Sequence, residues 1–325
     1  MGDERFLVTG SSGCIGAWAV AQLVREGTYV VAFDISDNDA RLRLLLDDAE
    51  MSRVETARGD IRDRDEFITT VNEGGFTHIV HLAGLQVPFC AADPVLGSQV
   101  NVTGTINVFE AVRQSDSVVQ GLSYASSVAV FGSAEMYPNG VARDDSPLAP
   151  ATLYGTYKQA NEAAAKVYAA DWGVSSVGLR PCIVYGPGRD QGLTSDVTKA
   201  MLAAAVGRPA HIGFGGSSTF QHAEDMATTF IEAARIESSG ARIHNVPGPT
   251  VPVAEIALMI ESETGVEVSV VDTPLPLPSR IEGGPLQEWL GDGVTHRQID
   301  RGIPETIDHF RRLVEEGRLN ATSSS

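Results

Sequence analysis

Three glycines spaced three apart, Gly10, Gly13 and Gly16, lie between a short apolar run and a stretch of helical periodicity, and this junction constrains the fold more than any other feature. Phe6 to Thr9 reads as a strand, Ile15 to Arg25 has the apolar spacing of a helix, and Tyr29 to Phe33 reads as a second strand closing at Asp34. A strand-to-helix turn without side chains lets backbone N–H groups and the helix N-terminus meet a pyrophosphate. Glycines alone also serve tight turns, so this reading rests on the strand, the helix and the downstream acid together. Asp34 can accept hydrogen bonds from ribose hydroxyls and would repel a 2′-phosphate, which favours NAD over NADP. The loop contacts expected for NAD are Gly10, Ser12, Gly13, Cys14, Ile15 and Gly16.

Further apolar strands follow at His78 to Leu82, Val118 to Tyr124 and Ser176 to Leu179, separated by expected helices at Val95 to Arg113 and Leu153 to Ala170. Such alternation implies an α/β chain with a Rossmann-type, doubly wound parallel sheet. A β-like segment at Val54 to Ala57 precedes Asp60 and Ile61; Asp60 could face the adenine edge or be a solvated turn aspartate. Leu82, Ala83 and Gly84 end another strand beside the cofactor path, where small residues permit close approach, and His81 reads as structural.

Beyond Gly186 the chain turns Gly- and Pro-rich, at Gly213 to Ser218, Val246 to Thr250 and Thr273 to Pro278, with helices expected at Val253 to Thr264 and Pro304 to Glu316. The expected organisation is an NAD-binding domain over residues 1–186 and a smaller substrate-binding lobe over 187–318, with segments returning to the first domain. Residues 319–325 read as a frayed tail.

With 325 residues, 43% of them apolar, the chain can bury a large core and a capping lobe. Forty-two acidic against 24 basic side chains give a net charge of −18, which disfavours nucleic acid and anionic membrane partners. No apolar run reaches the ~18 residues of a membrane span and no secretion signal opens the chain, so a cytoplasmic location is expected. Cys14, Cys90 and Cys182 are widely spaced, which indicates neither a disulfide framework nor a metal site.

Tyr154 and Lys158 are four apart in an expected helix and share one face. An ammonium and the positive nicotinamide ring would both favour phenolate over a phenol of pKa ~10. Ser127 ends a strand and can hydrogen-bond the reacting oxygen, and Asn101, in the preceding helix, can tie down the lysine. Each residue has a plainer reading in isolation: an amphipathic pair, a turn serine, a packing asparagine.

The residues Thr9-Gly-Ser-Ser-Gly-Cys-Ile-Gly16, Asp34, Asp60, His81-Leu-Ala-Gly84, Asn101-Val-Thr-Gly-Thr105, Ser126-Ser-Val-Ala-Val-Phe-Gly132 and Tyr154-Gly-Thr-Tyr-Lys158 together resemble an extended short-chain dehydrogenase. Leu179-Arg-Pro-Cys-Ile-Val-Tyr-Gly-Pro-Gly-Arg189 is similar to the NAD-dependent epimerase/dehydratase branch. The resemblance implies catalytic roles for Ser127, Tyr154 and Lys158, support from Asn101, and a lysine grip on the nicotinamide ribose. It also implies a homodimer formed through the two helices at Val95 to Arg113 and Leu153 to Ala170.

Members acting on nucleotide sugars usually carry an Asn three residues after the arginine matching Arg180, and an Arg seven residues before the aspartate matching Asp225. Here those positions are Ile183 and Ser218, so the expected diphosphate clamp is missing. Arg280 either matches a second phosphate-binding arginine or is a solvated side chain. Dehydratases place an Asp-Glu pair after the Ser/Thr, where this chain has Val128 and Ala129. The expectation is therefore NAD-dependent hydride transfer at a secondary alcohol of a small sugar-like substrate, touched by Gln86, Ser127, Val128, Arg189, Ser218 and Arg280. The alternatives are a nucleotide-sugar epimerase with tightly held NAD, and a regulator that senses NAD without turnover.

Overall fold

The computed structural model describes residues 4–115, 119–293 and 296–319. Its strands are β1 (Arg5–Thr9), β2 (Tyr29–Asp34), β3 (Glu55–Arg58), β4 (His78–His81), β5 (Gly121–Ala125), β6 (Val141–Ala142) and β7 (Ser176–Arg180). After these come β8 (Ile183–Tyr185), β9 (Ala210–Ile212), β10 (Ser217–His222), β11 (Ala241–Asn245), β12 (Thr250–Pro252), β13 (Val268–Val270) and β14 (Arg280–Ile281). The helices are α1 (Cys14–Glu26), α2 (Ala40–Leu45), α3 (Asp48–Met51), α4 (Arg64–Gly74), α5 (Val87–Ala92), α6 (Pro94–Ser98) and α7 (Gly104–Gln114). Then follow α8 (Leu153–Trp172), α9 (Asp196–Ala205), α10 (Ala223–Arg235), α11 (Val253–Thr264), α12 (Gly284–Leu290) and α13 (Ile299–Glu315).

Seven parallel strands form the central sheet in the order β11-β7-β5-β4-β1-β2-β3. The Rossmann-type doubly wound sheet expected from the alternation is present. Period-two alternation gives the inner strands two buried faces. Phe6 and Val8 of β1 pack with α1 and α10 on one side, while Leu7 packs with Phe67, Phe109 and Tyr168 on the other. The chain reverses direction across the sheet between β1 and β4, which opens a crevice at their C-terminal ends. Although they follow residue 187, α10 and β11 pack on and extend this sheet.

A second core gathers Tyr185, Met201, Phe214, Phe220, Ile256, Ile303 and Phe310 around α9, α11 and α13. Burial of Ile299 and Ile303 there starts α13 before Pro304, so the proline lies inside the helix rather than at its start. The single helix expected over Val95 to Arg113 is instead α6, a π-helical turn at Gln99–Thr103, and α7. That widened turn holds Asn101 fully buried; such turns concentrate at functional sites. The expected strand start at Val118 and the tail from Asn320 fall outside the described residues. Among the described residues no helix is long and apolar enough to cross a membrane.

Candidate active site

A cleft of about 270 Å³ is lined from the glycine loop to Leu193 and residues 275–277. Gly10 has φ +70°, and a Cβ there would sit 2.5 Å from the Ala83 nitrogen. A Cβ on Gly16 would strike the Gly10 carbonyl oxygen, so the loop can fold this tightly only without side chains. Gly13 occupies the N-cap of α1 with no side-chain cap, which leaves the first N–H groups free to meet an anion. Asp34 accepts from the Ser12 and Ser36 N–H groups, both at 3.0 Å, so its carboxylate is fixed at the loop's edge. This cradle fits the pyrophosphate and ribose of NAD.

Gly10, Gly13, Cys14, Ile15, Gly16, Leu82 and Gly84 line the cleft, and Ala83 backs Gly10. Asp60 and Ile61 do not line it. The Arg62 guanidinium takes the Asp60 carboxylate, with Nε 2.9 and 3.0 Å from its two oxygens, and holds that carboxyl below the usual range. Ile61 is buried against Gly104 instead.

Ser127 follows β5 and caps a short 3₁₀ turn, accepting from the Ala129 N–H at 3.1 Å. Tyr154 opens α8, whose N-terminus is capped by Thr152 through the Gly155 N–H at 3.0 Å. A Cβ on Gly155 would run into the Ala129 carbonyl oxygen, so this glycine lets the helix start press against the serine turn. Lys158 lies one turn on, its Nζ 5.6 Å from the centre of the Tyr154 ring. Ser127, Tyr154 and Lys158 all face the cleft.

The electrostatics differ from the sequence expectation. Burial raises the Tyr154 hydroxyl above its ordinary pKa, and the opposing pull comes from the Ser127 hydroxyl and then the Arg189 guanidinium, not from Lys158. Burial also lowers Lys158 to about 8, so it is a weakened cation. Asn101 Nδ2 donates to the Leu85 and Gly97 carbonyls at 3.1 and 3.0 Å. Its Oδ1 is buried without a partner and faces Gly84 on the lysine side.

Gln86, Val128 and Arg189 line the substrate end. Ser218 and Arg280 do not: the Ser218 hydroxyl lies 3.4 Å from Cys182 Sγ, and Arg280 points outward, 3.7 Å from Glu282. Missed in the sequence were Phe131, Leu275 and Leu277, which with Leu193 complete an apolar wall. The proline-rich tract around Thr273 to Pro278 marked a loop, but no local signal says which of its side chains turn inward.

His81 is structural, as its sequence position suggested: Nδ1 lies 2.7 Å from Thr9 Oγ1 and Nε2 3.0 Å from Thr105 Oγ1. Burial, then the Lys158 charge, lowers it to about 3, whereas in the unfolded chain it titrates near 6.5. Between those values the unfolded chain binds the extra proton, so stability is lost as pH falls below 6.5. His81→Gln is expected to flatten that loss by up to about 1.4 kcal/mol per pH unit, measured by urea unfolding at pH 7 and pH 5. An unchanged difference between the two pH values would refute it.

Residues 6–246 match the model of the NAD dependent epimerase/dehydratase family. A UDP-glucose 4-epimerase of Mycolicibacterium smegmatis is 28% identical over 329 residues, covering 94% of this chain and 98% of that protein. An uncharacterized 37.6 kDa protein of Escherichia coli O111:H- is 33% identical over 207 residues, which span 61% of this chain and 60% of that one. The crystal structure of the Thermus thermophilus UDP-glucose 4-epimerase in complex with NAD is similar in fold, with a TM-score of 0.80 and 28% identity over 94% of this chain and 99% of that chain. With its glycine cradle and its Ser127, Tyr154 and Lys158 in one cleft, the chain belongs to the NAD dependent epimerase/dehydratase family and is an NAD-dependent enzyme.

Proposed function

We propose that this enzyme oxidises a secondary alcohol of a sugar-like substrate that carries no nucleoside diphosphate. The observation that carries this reading is the substrate end of the cleft, where Val87, Phe131, Ile183, Leu193 and Leu277 form an aliphatic and aromatic wall. Among the described residues that line it, Arg189 is the one cation besides Lys158. The two candidate phosphate positions are spent elsewhere, Ser218 on Cys182 and Arg280 on the outer surface. A diphosphate in such a wall would have the single Arg189 guanidinium for its charges, where buried phosphate oxygens call for several charged partners.

NAD, when bound, supplies the hydride acceptor. Tyr154 Oη takes the hydroxyl proton as the carbinol C–H electron pair leaves, and Ser127 hydrogen-bonds the same oxygen as it becomes a carbonyl. Lys158, one helical turn on with its Nζ 5.6 Å from the centre of the Tyr154 ring, would hold the nicotinamide ribose. Val128 stands in the wall where a dehydratase acid would be needed, so water loss has no acid–base pair.

A second reading, epimerisation of a nucleotide sugar with NAD retained, is favoured by the full-length likeness to UDP-glucose 4-epimerases. Both are tested by supplying NAD with free sugars, sugar acids and UDP-sugars, following NADH absorbance and product stereochemistry by NMR. Sustained NADH with a non-nucleotide substrate is the expected result. Interconversion of UDP-sugar stereoisomers without net NADH would overturn it in favour of the second reading.

A further inference from the structure

Arg189 is a cation held in the cleft without an acid. Its sequence neighbour Asp190 is taken by Arg41 at 2.6 Å, and Arg189 reaches only the neutral Thr194 hydroxyl, Nη2 to Oγ1 at 3.2 Å. Its Nε is buried with no partner, and so is Gln86 Oε1. A Cβ on Gly192 would strike Gln86 Oε1 and lie 3.1 Å from Arg189 Nη2, so both side chains converge on one spot beneath this glycine. The Arg189 guanidinium and the Gln86 amide thus lie side by side, each with one unsatisfied buried polar atom, a donor on the cation and an acceptor on the amide, and both cost free energy unless a ligand completes them.

The surroundings select the ligand's charge. No carboxylate lines the cleft among the described residues, although the whole chain carries −18. With a Debye length of ~8 Å at physiological salt, distant surface acids do not cancel a cation inside the cleft. The Arg189 charge also reaches Tyr154, which sets the site beside the reacting hydroxyl.

We propose that Arg189 and Gln86 form a subsite for a polyhydroxy carboxylic acid, a uronic or aldonic acid, with the carboxylate on the guanidinium and a neighbouring hydroxyl donating to Gln86 Oε1. The proposal deepens the non-nucleotide reading and rests on it. A planar guanidinium suits a carboxylate in two-point contact, and a hydroxyl alpha or beta to that group supplies the donor that the acceptor needs.

The test is calorimetric titration of enzyme saturated with NADH, using glucuronate, gluconate, glucose, inorganic phosphate and UDP as probes, so that binding is read without turnover. At least one of the two acids is expected to bind about tenfold or more tighter than glucose. Arg189→Gln is expected to erase that preference while NADH affinity stays within about twofold, and Arg189→Lys to keep part of it. Acids binding no tighter than glucose would overturn the proposal. So would Arg189→Gln weakening NADH with the acid preference intact, which assigns the arginine to the cofactor's pyrophosphate, or an Arg189 dependence confined to phosphate or UDP. A failure of the hydride-transfer reading shows separately, as no NADH formed from NAD with any probe.

Discussion

Replacing Tyr154 with Phe is expected to slow hydride transfer by about 10²- to 10⁴-fold while leaving NAD affinity close to that of the parent enzyme. The substitution removes only the hydroxyl, and the ring that faces Lys158 at 5.6 Å remains. Burial holds the Tyr154 proton on more tightly than in a free phenol, and Ser127 and Arg189 pull the other way. A raised pKa means that phenolate is scarce at neutral pH, so oxidation by the parent enzyme should accelerate as pH rises. The Phe variant should lose both the rate and that slope. Single-turnover NADH formation from pH 6 to pH 9, with NAD affinity measured in parallel, checks both parts. A variant that keeps more than about a tenth of the rate would remove Tyr154 from proton transfer.

That prediction was legible in the sequence because it depends on local geometry. Four residues make one helical turn, so Tyr154 and Lys158 share a face whatever the rest of the chain does. The glycine triplet was legible for the same reason, since strand, turn and helix are contiguous there. What the sequence could not supply came from distant segments. Strand β10 pairs with β8 about 37 residues earlier and with β12 about 32 residues later, and none of the three is long enough to announce itself. The π-helical turn that buries Asn101 reads locally as ordinary helix. Spacing pointed to Lys158, together with the nicotinamide ring, as what favours phenolate at Tyr154; it gave no sign that the loop after β8 folds back to bring Arg189 into range. Likewise spacing left Asp60 between the adenine edge and a turn, and gave no sign that Arg62, two residues on, pairs with its carboxylate. That Ser218 stands where an arginine is usual is a side-chain identity readable directly, whereas its packing against Cys182 comes from the pairing of distant strands.

Arg180 carries the largest stability effect expected of a single residue. It sits at the end of β7 and grips Glu162 of α8 with two parallel bonds, Nε–Oε1 at 2.7 Å and Nη2–Oε2 at 2.8 Å, with both side chains at most 4% exposed. Its third nitrogen donates to the Asp144 carbonyl at 3.0 Å, and its guanidinium lies 4.9 Å from the centre of the Phe131 ring. The Ser126 hydroxyl also donates to Glu162, at 2.5 Å. One carboxylate therefore joins the catalytic helix, the sheet and the residue preceding Ser127. Arg180→Leu leaves that carboxylate buried and unpaired, at a cost of about 3–5 kcal/mol. Chemical denaturation at pH 7 should show that loss, and the folded fraction should also lose kcat, because Glu162, which ties Ser126 beside Ser127 to the helix carrying Tyr154, is no longer held by Arg180. Removing both charges in Arg180→Leu/Glu162→Leu should recover much of the stability, since the double variant leaves no lone buried ion. It should not recover the rate, because removing Glu162 also takes the acceptor from Ser126. A single variant as stable as the parent would mean that water reaches Glu162. A double variant with full activity would mean that the pair stabilises the fold without positioning the chemistry.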